Sequence, residues 1–175
     1  MITIRKAKPG DEISIHQLIK ELADYEKAPN EVTNTIEDLK QHLFEEELCH
    51  ALVALENNAI IGFSLYYISY STWKGKCLYL EDFYVQPMHR KKGIGELLFN
   101  QTIEIAKSIQ AKRMDWQVLS WNEIALNFYK KQGTSLDSGW IQGRISFSPK
   151  TVSYTHLRAH ETREDLVCRL LLEKK

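Results

Sequence analysis

The segment MHRKKGIGELLF, residues 88–99, sets consecutive cations and two glycines one residue apart in front of an apolar run, directly after the extended-looking LYLEDFYV. A strand that runs through a glycine turn into a helix is an anion cradle. Successive backbone N–H groups and the positive end of the helix point at the ligand, while Gly93 and Gly95 keep side chains out of the way. Arg90, Lys91 and Lys92 can add charge-assisted contacts. The competing reading is a basic loop whose glycines only ease a turn. A dinucleotide fingerprint is excluded, since Leu98 stands where the third glycine belongs, and no Walker lysine-serine pair follows Gly95. A diphosphate is therefore expected without the nucleotide folds.

Upstream of the cradle, Glu81 sits in an apolar strand, where burial would raise its pKa and make it a base, directly or through water. Alternation puts Glu81 and Asp82 on opposite faces unless a bulge intervenes. The plainer reading of the two is a hydrogen-bonded pair closing a strand end. Tyr129, on an apolar helix face, reads equally as core with its hydroxyl tied off. Asn122 reads as a cap for the helix that it precedes. His16, His42, His50 and His89 share no spacing, and no HExxH or Cys-x-x-Cys accompanies them, so no metal site is expected. Cys77 has no histidine paired with it in sequence, which argues against a covalent acyl carrier.

The elements that must position these residues follow from periodicity. ITIRKA alternates as a strand and ends at Pro9-Gly10-Asp11, where Asp11 can cap a helix with Ile15, Leu18, Ile19 and Leu22 on one face. A second helix is expected after Thr35, with Asp38 three residues on as in a capping box. HALVALENNAIIGFSLYYISYS reads as a hairpin turning at Asn57-Asn58, and CLYLEDFYV as a further strand stopped by Pro87. A long helix from Ile94, a strand in RMDWQVLS, a helix over Glu123 to Lys131 stopped by Gly133, and a closing strand complete the order. This predicts an α/β (α+β) domain, a mixed, mostly antiparallel twisted sheet with helices on both faces. Its parallel part would be Leu78–Val85 beside Met114–Ser120, because a long helix joins them.

Length and composition narrow the class. A chain of 175 residues suits one domain. Equal numbers of basic and acidic residues, 23 each, give no global field for nucleic acid. Cys49, Cys77 and Cys168 form no disulfide framework, the N-terminus turns polar too soon for a secretory signal, and no run is long enough to span a bilayer. A cytoplasmic protein with no membrane or nucleic-acid partner is expected.

Arg90, Gly93 and Gly95 match the Arg/Gln-x-x-Gly-x-Gly/Ala motif of the GNAT N-acetyltransferase superfamily. LYLEDFYVQPMHRKKGIG together with WNEIALNFYKKQG resembles its diamine acetyltransferase branch, the spermidine/spermine and thialysine enzymes. The similarity runs from Ile4 to about Phe147 and takes in IKELADYE, HALVA, IIGFSLYYISY and WKGK. It implies the GNAT fold over 1–150 and acetyl-CoA as cosubstrate. It puts the pyrophosphate at Arg90, Lys91, Lys92, Gly93, Ile94 and Gly95, the pantetheine arm at Phe83, Tyr84 and Val85, and further cofactor contacts at Asn122 and Tyr129. It assigns Glu81 the base role, Asp82 and Trp140 to the substrate, and Tyr129 protonation of the leaving thiolate. Homodimers are usual in this branch.

Two departures bear on the acceptor. Ser71 and Ser138 stand where the polyamine enzymes carry acidic residues, which argues for thialysine, a lysine-like amino acid or a short diamine over long polyamines. Glu26, Glu31 and Asp137 are the residues that could restore acidity. The tail from about Ser153 resembles an adapter-derived sequence, so 151–175 is expected to be a non-native helix outside the function. The alternatives are peptide or protein N-acetylation, which requires an open groove over the Tyr66–Trp73 strand end, and a non-catalytic acetyl-CoA sensor.

Overall fold

In a computed structural model of the chain, which describes residues 1–147, the alternating segment Ile2–Lys6 forms β1. Met1–Gly133 forms one unit and a second begins at Thr134.

Asp11 precedes α1 (Glu12–Tyr25), but its carboxylate does not cap it. Arg5 and the Lys8 amide hold both of its oxygens, tying the end of β1 to the helix start. At α2 (Ile36–Phe44) the expected capping box is complete: Thr35 Oγ1 accepts from the Asp38 amide, and the Asp38 side chain accepts from the Thr35 amide. β2 (His50–Glu56) and β3 (Ala59–Ser71) form the hairpin, with Asn57 and Asn58 both at positive φ, the conformation that a two-residue turn demands and asparagine tolerates. β4 (Gly75–Val85) completes the meander, and a short 3-10 turn at Pro87–His89 leads to α3 (Ile94–Ser108). β5 (Met114–Trp116) and α4 (Glu123–Lys131) follow.

The five strands lie in sequence order, antiparallel except for β5 beside β4. Period-two alternation sends one set of side chains to each face. Ala51, Val53, Phe63, Leu65 and Tyr84 pack with Ile15 and Leu18 of α1 and Leu39 and Leu43 of α2. Leu52, Tyr66, Leu78 and Leu80 meet Leu98, Phe99 and Ala106 of α3 and Tyr129 of α4. Burying each of the larger aliphatic or aromatic side chains stabilises the fold by roughly 1.5–3 kcal/mol.

Two departures from expectation concern the last elements. β5 ends at Trp116 and does not reach Ser120, so the parallel ladder is short. Among the described residues no strand follows α4. In 134–147 the Asp137 carboxylate accepts from the Gly139 amide at 2.7 Å, a local bond that favours a turn over a ladder, and Ile141, Ile145 and Phe147 are exposed. The tail at 151–175 lies outside the described residues.

One polar contact crosses the core of α3. Thr102 Oγ1 donates to the Leu98 carbonyl at 2.9 Å, which leaves the Ser64 hydroxyl to donate to Thr102, also at 2.9 Å. Both residues are fully buried. Thr102→Val keeps the shape and strands the Ser64 hydroxyl, so urea unfolding should show a loss of about 1–3 kcal/mol with an unchanged m-value.

Candidate active site

Only Leu78, Tyr79 and Leu80 of β4 pair with β5, opposite Met114, Asp115 and Trp116. Past Leu80 the two strands part. The edge of β4 from Glu81 to Val85 then faces a fork rather than a neighbouring strand. On its other side β4 continues to pair with β3, but the register slips: Leu65 opposes Asp82 while Tyr66 opposes Leu80, so Glu81 is the extra residue of a β-bulge.

The bulge corrects the expected placement of the two carboxylates. Leu80 and Phe83 pack against α3, whereas Tyr84 packs against α1 and α2, so Glu81 and Asp82 both belong to the α1/α2 face. Glu81 is exposed, and the burial expected of it falls on its neighbour. Desolvation, with the Glu81 and Glu26 carboxylates adding to it, lifts Asp82 from the ordinary 3.8 to about 7. Glu26, at the end of α1, is itself raised by burial. A carboxyl that titrates near neutrality can take a proton from an ammonium and pass it on.

At the mouth of the fork, Gly93 has φ 77° and stands at the N-cap of α3 with no side-chain cap, so the first amides of the helix have no intrahelical partner. Lys91 also has positive φ, at 61°, and a stretch that carries such residues turns its N–H groups toward one concavity. Lys91, Lys92 and Gly93 are exposed, Ile94 anchors the turn in the core, and Gly95 lies beside the rings of Phe83 and Phe128. Arg90, expected among the phosphate contacts, has protein partners for its side chain. Its Nε donates to the Val85 carbonyl at 2.8 Å, and its guanidinium lies over Tyr25 at 5.2 Å and Tyr84 at 5.4 Å. The Arg90 side chain therefore braces the loop from behind.

The closed end of the fork is aromatic. Tyr129 of α4 lies 4.9 Å from Trp116, the last residue of the β4–β5 ladder, and contacts Phe99 and Phe128. Burial, and then the Glu26 charge, push its phenol well above the ordinary range, which keeps it protonated. Phe83 stacks on Phe128 at 5.5 Å. Asn122 Oδ1 caps α4 by accepting from the Ala125 amide and also accepts from the Tyr25 hydroxyl, each at 3.1 Å. Tyr25 thus links Arg90 to Asn122 across the fork. Tyr25 falls seven residues after Leu18 on the apolar face of α1, so its position alone reads as core. Trp140 lies in the second unit and is exposed there. Among the described residues no cluster of His, Cys, Asp and Glu could hold a metal ion, and no helix is long and apolar enough to cross a membrane.

A fork beside a glycine-started helix is an architecture with known relatives. Residues 15–134 match the Acetyltransferase (GNAT) family. The chain belongs to the GNAT acetyltransferase family. Within it, a thialysine N-epsilon-acetyltransferase of Bos taurus is 40% identical over 141 residues, covering 75% of this chain and 83% of the bovine protein. A Homo sapiens spermidine/spermine N(1)-acetyltransferase-like protein is 36% identical over 148 residues, 78% of this chain and 21% of that longer protein. Among solved structures, an integron cassette protein from V. cholerae superposes with a TM-score of 0.69 at 26% identity, over 83% of this chain and 93% of that one.

The electrostatics of Asp82 carry a prediction with a definite sign. Between the ordinary value, 3.8, and about 7, the unfolded chain has released a proton that folded Asp82 keeps. This group's effect on stability therefore becomes unfavourable as pH rises through that window, and fully so above about pH 7. Denaturation midpoints of wild type and Asp82→Asn should diverge from about pH 4 to about pH 8, with the wild type losing ground. Parallel pH profiles would contradict the raised value.

Proposed function

We propose that this chain transfers the acetyl group of acetyl-CoA to a primary amine of a small diamine or a thialysine- or lysine-like amino acid, by direct attack in a ternary complex. The observation that carries the reading is the open edge of β4 from Glu81 to Val85, which runs from the α3 N-terminus to Tyr129. The names of the bovine and human relatives support the acceptor class.

Acetyl-CoA supplies the acyl group as an activated thioester. The amides from Lys91 to Gly95 suit its pyrophosphate, with Lys91 and Lys92 adding charge. The edge of Phe83, Tyr84 and Val85 offers main-chain partners to an extended arm, and Asn122, which caps α4, is a further cofactor contact in this reading. On the α1/α2 face, the exposed Glu81 draws in the ammonium and Asp82, titrating near neutrality, takes its proton, so the base role is shared rather than held by Glu81 alone. The free amine then forms the C–N bond as the C–S bond breaks. Backbone donors near Phe83 hold the carbonyl oxygen, and Tyr129 gives its proton to the departing sulfur. Tyr129 belongs to the α4 side of the sheet and the carboxylates to the other, so base and acid approach the carbonyl carbon from opposite sides.

We infer further that the chain acts as a homodimer in the cytoplasm, as the diamine branch suggests and as the free thiols of Cys49 and Cys77 allow. Sedimentation of the pure protein tests the first point.

Thiol release from acetyl-CoA should be greatest with thialysine or lysine when ornithine, putrescine and spermidine are compared at equal concentration. Tyr129→Phe should lower kcat by about a hundredfold or more and leave acetyl-CoA affinity within about twofold. Equal losses in both, or an unchanged kcat, would remove the acid role. Acetyl-CoA binding without thiol release from any amine would make the chain a sensor.

A further inference from the structure

On the same face as Glu81 and Asp82, β4 and its neighbours carry a strip of side chains that neither α1 nor α2 covers. Tyr79 is the register partner of Tyr67 on β3 and of Asp115 on β5, so the three project together. The two rings lie 5.2 Å apart at 31°, and both tyrosines are only half-buried and outside the core of α1 and α2. Glu81 stands two residues along β4 from Tyr79, at one end of the strip, and burial, then the Glu81 charge, raises both phenols. At the other end Arg113 Nε donates to Asp115 Oδ2 at 2.7 Å, with 45% and 35% of their side chains exposed.

We infer that this strip reads the acceptor as a whole α-amino acid: the side-chain amine at Glu81 and Asp82, its alkyl stem along Tyr79 and Tyr67, and its α-ammonium and α-carboxylate at Asp115 and Arg113. The inference rests on the acetyl-transfer reading and adds a second anchoring point to it. Its dimensions follow from strand geometry. Glu81 and Asp115 are two residues apart along the strand direction and one strand apart across it, which sets their Cα atoms about 8 Å from each other. An unbranched amine side chain of four methylenes, or a thioether of equal length, spans that distance. Tyrosine faces suit both an alkyl stem and a passing cation. The Arg113–Asp115 pair is exposed and so contributes little to stability, and each partner can exchange the other for the oppositely charged half of a zwitterion. Arg113 matters most for discrimination, because a guanidinium fork suits a carboxylate and repels a terminal ammonium. A diamine of the same length would place its second cation against that fork.

Lysine and cadaverine differ only in the α-carboxylate and make the comparison clean. Wild-type kcat/KM should favour lysine, and Arg113→Gln should lower the lysine value about tenfold, mainly through KM, without lowering that of cadaverine. Tyr79→Leu should raise KM for both acceptors and leave acetyl-CoA affinity unchanged. A lysine-to-cadaverine ratio that is the same in wild type and Arg113→Gln would overturn the inference. Calorimetric titration of lysine into the CoA-saturated protein reads the strip without turnover: a roughly tenfold weakening in Arg113→Gln supports it, and equal affinity overturns it. If neither amine releases thiol while lysine still binds through Arg113, the acetyl-transfer reading fails and the strip stands.

Discussion

Among the described residues β4 has no strand partner past Leu80 on its β5 side, and the elements of the candidate site take their positions from that parting. The parallel ladder is only three residue pairs long, so β4 and β5 are held together at one end and free at the other. α3 leaves β4 almost at once, which puts its N-terminus at the open end of the fork. The crossover through α3 returns the chain to β5 beside β4. α4 then lays Tyr129 on Trp116, at the closed end.

The bulge at Glu81 is the second half of the same device. By adding one residue to β4 it turns two carboxylates to one face, where regular alternation would have split them. It also concentrates negative charge, and the fold bears that cost by keeping Asp82 protonated up to about pH 7. Behind the bulge the packing leaves little freedom. A Cβ on Gly62 would come within 2.8 Å of the Tyr84 carbonyl and 3.1 Å of Val85, so β3 and β4 approach as closely as bare backbone permits. The strand bearing the site is thus fixed from the β3 side and open on the other.

Elements specified by local chemistry were legible from the residues alone: the Asn57-Asn58 hairpin, the Thr35–Asp38 box, the strand stopped by Pro87, and the glycine-started α3 all stand where periodicity and turn residues put them. The glycine turn before α3 was legible for the same reason, since a left-handed Gly93 before an apolar run is a local signature. What alternation could not supply was anything set by pairing. The bulge depends on the register of β3 against β4, and LYLEDFYV contains no glycine to announce it. β5 is short because the chain diverges from β4 after Trp116, although the residues of RMDWQVLS would suit a longer strand. The partners of the Arg90 side chain, two tyrosines distant in sequence and the Val85 carbonyl, were likewise beyond the reach of local pattern. Glu81 was expected to be buried because its sequence neighbours are apolar, but exposure is decided by where α1 and α2 end.

The open flank of β4 also has a consequence for the protein when nothing lies along it. Free N–H and C=O groups in a row on an apolar, aromatic strand are a template for a passing chain, and most folds hide such an edge under a helix or blunt it with lysine or proline. Phe83, Tyr84 and Val85 carry no lysine or proline, and Arg90 Nε takes the Val85 carbonyl at the end of the row. A bound thioester arm would be both reactant and bung, and colloidal behaviour in storage should follow occupancy as much as temperature does.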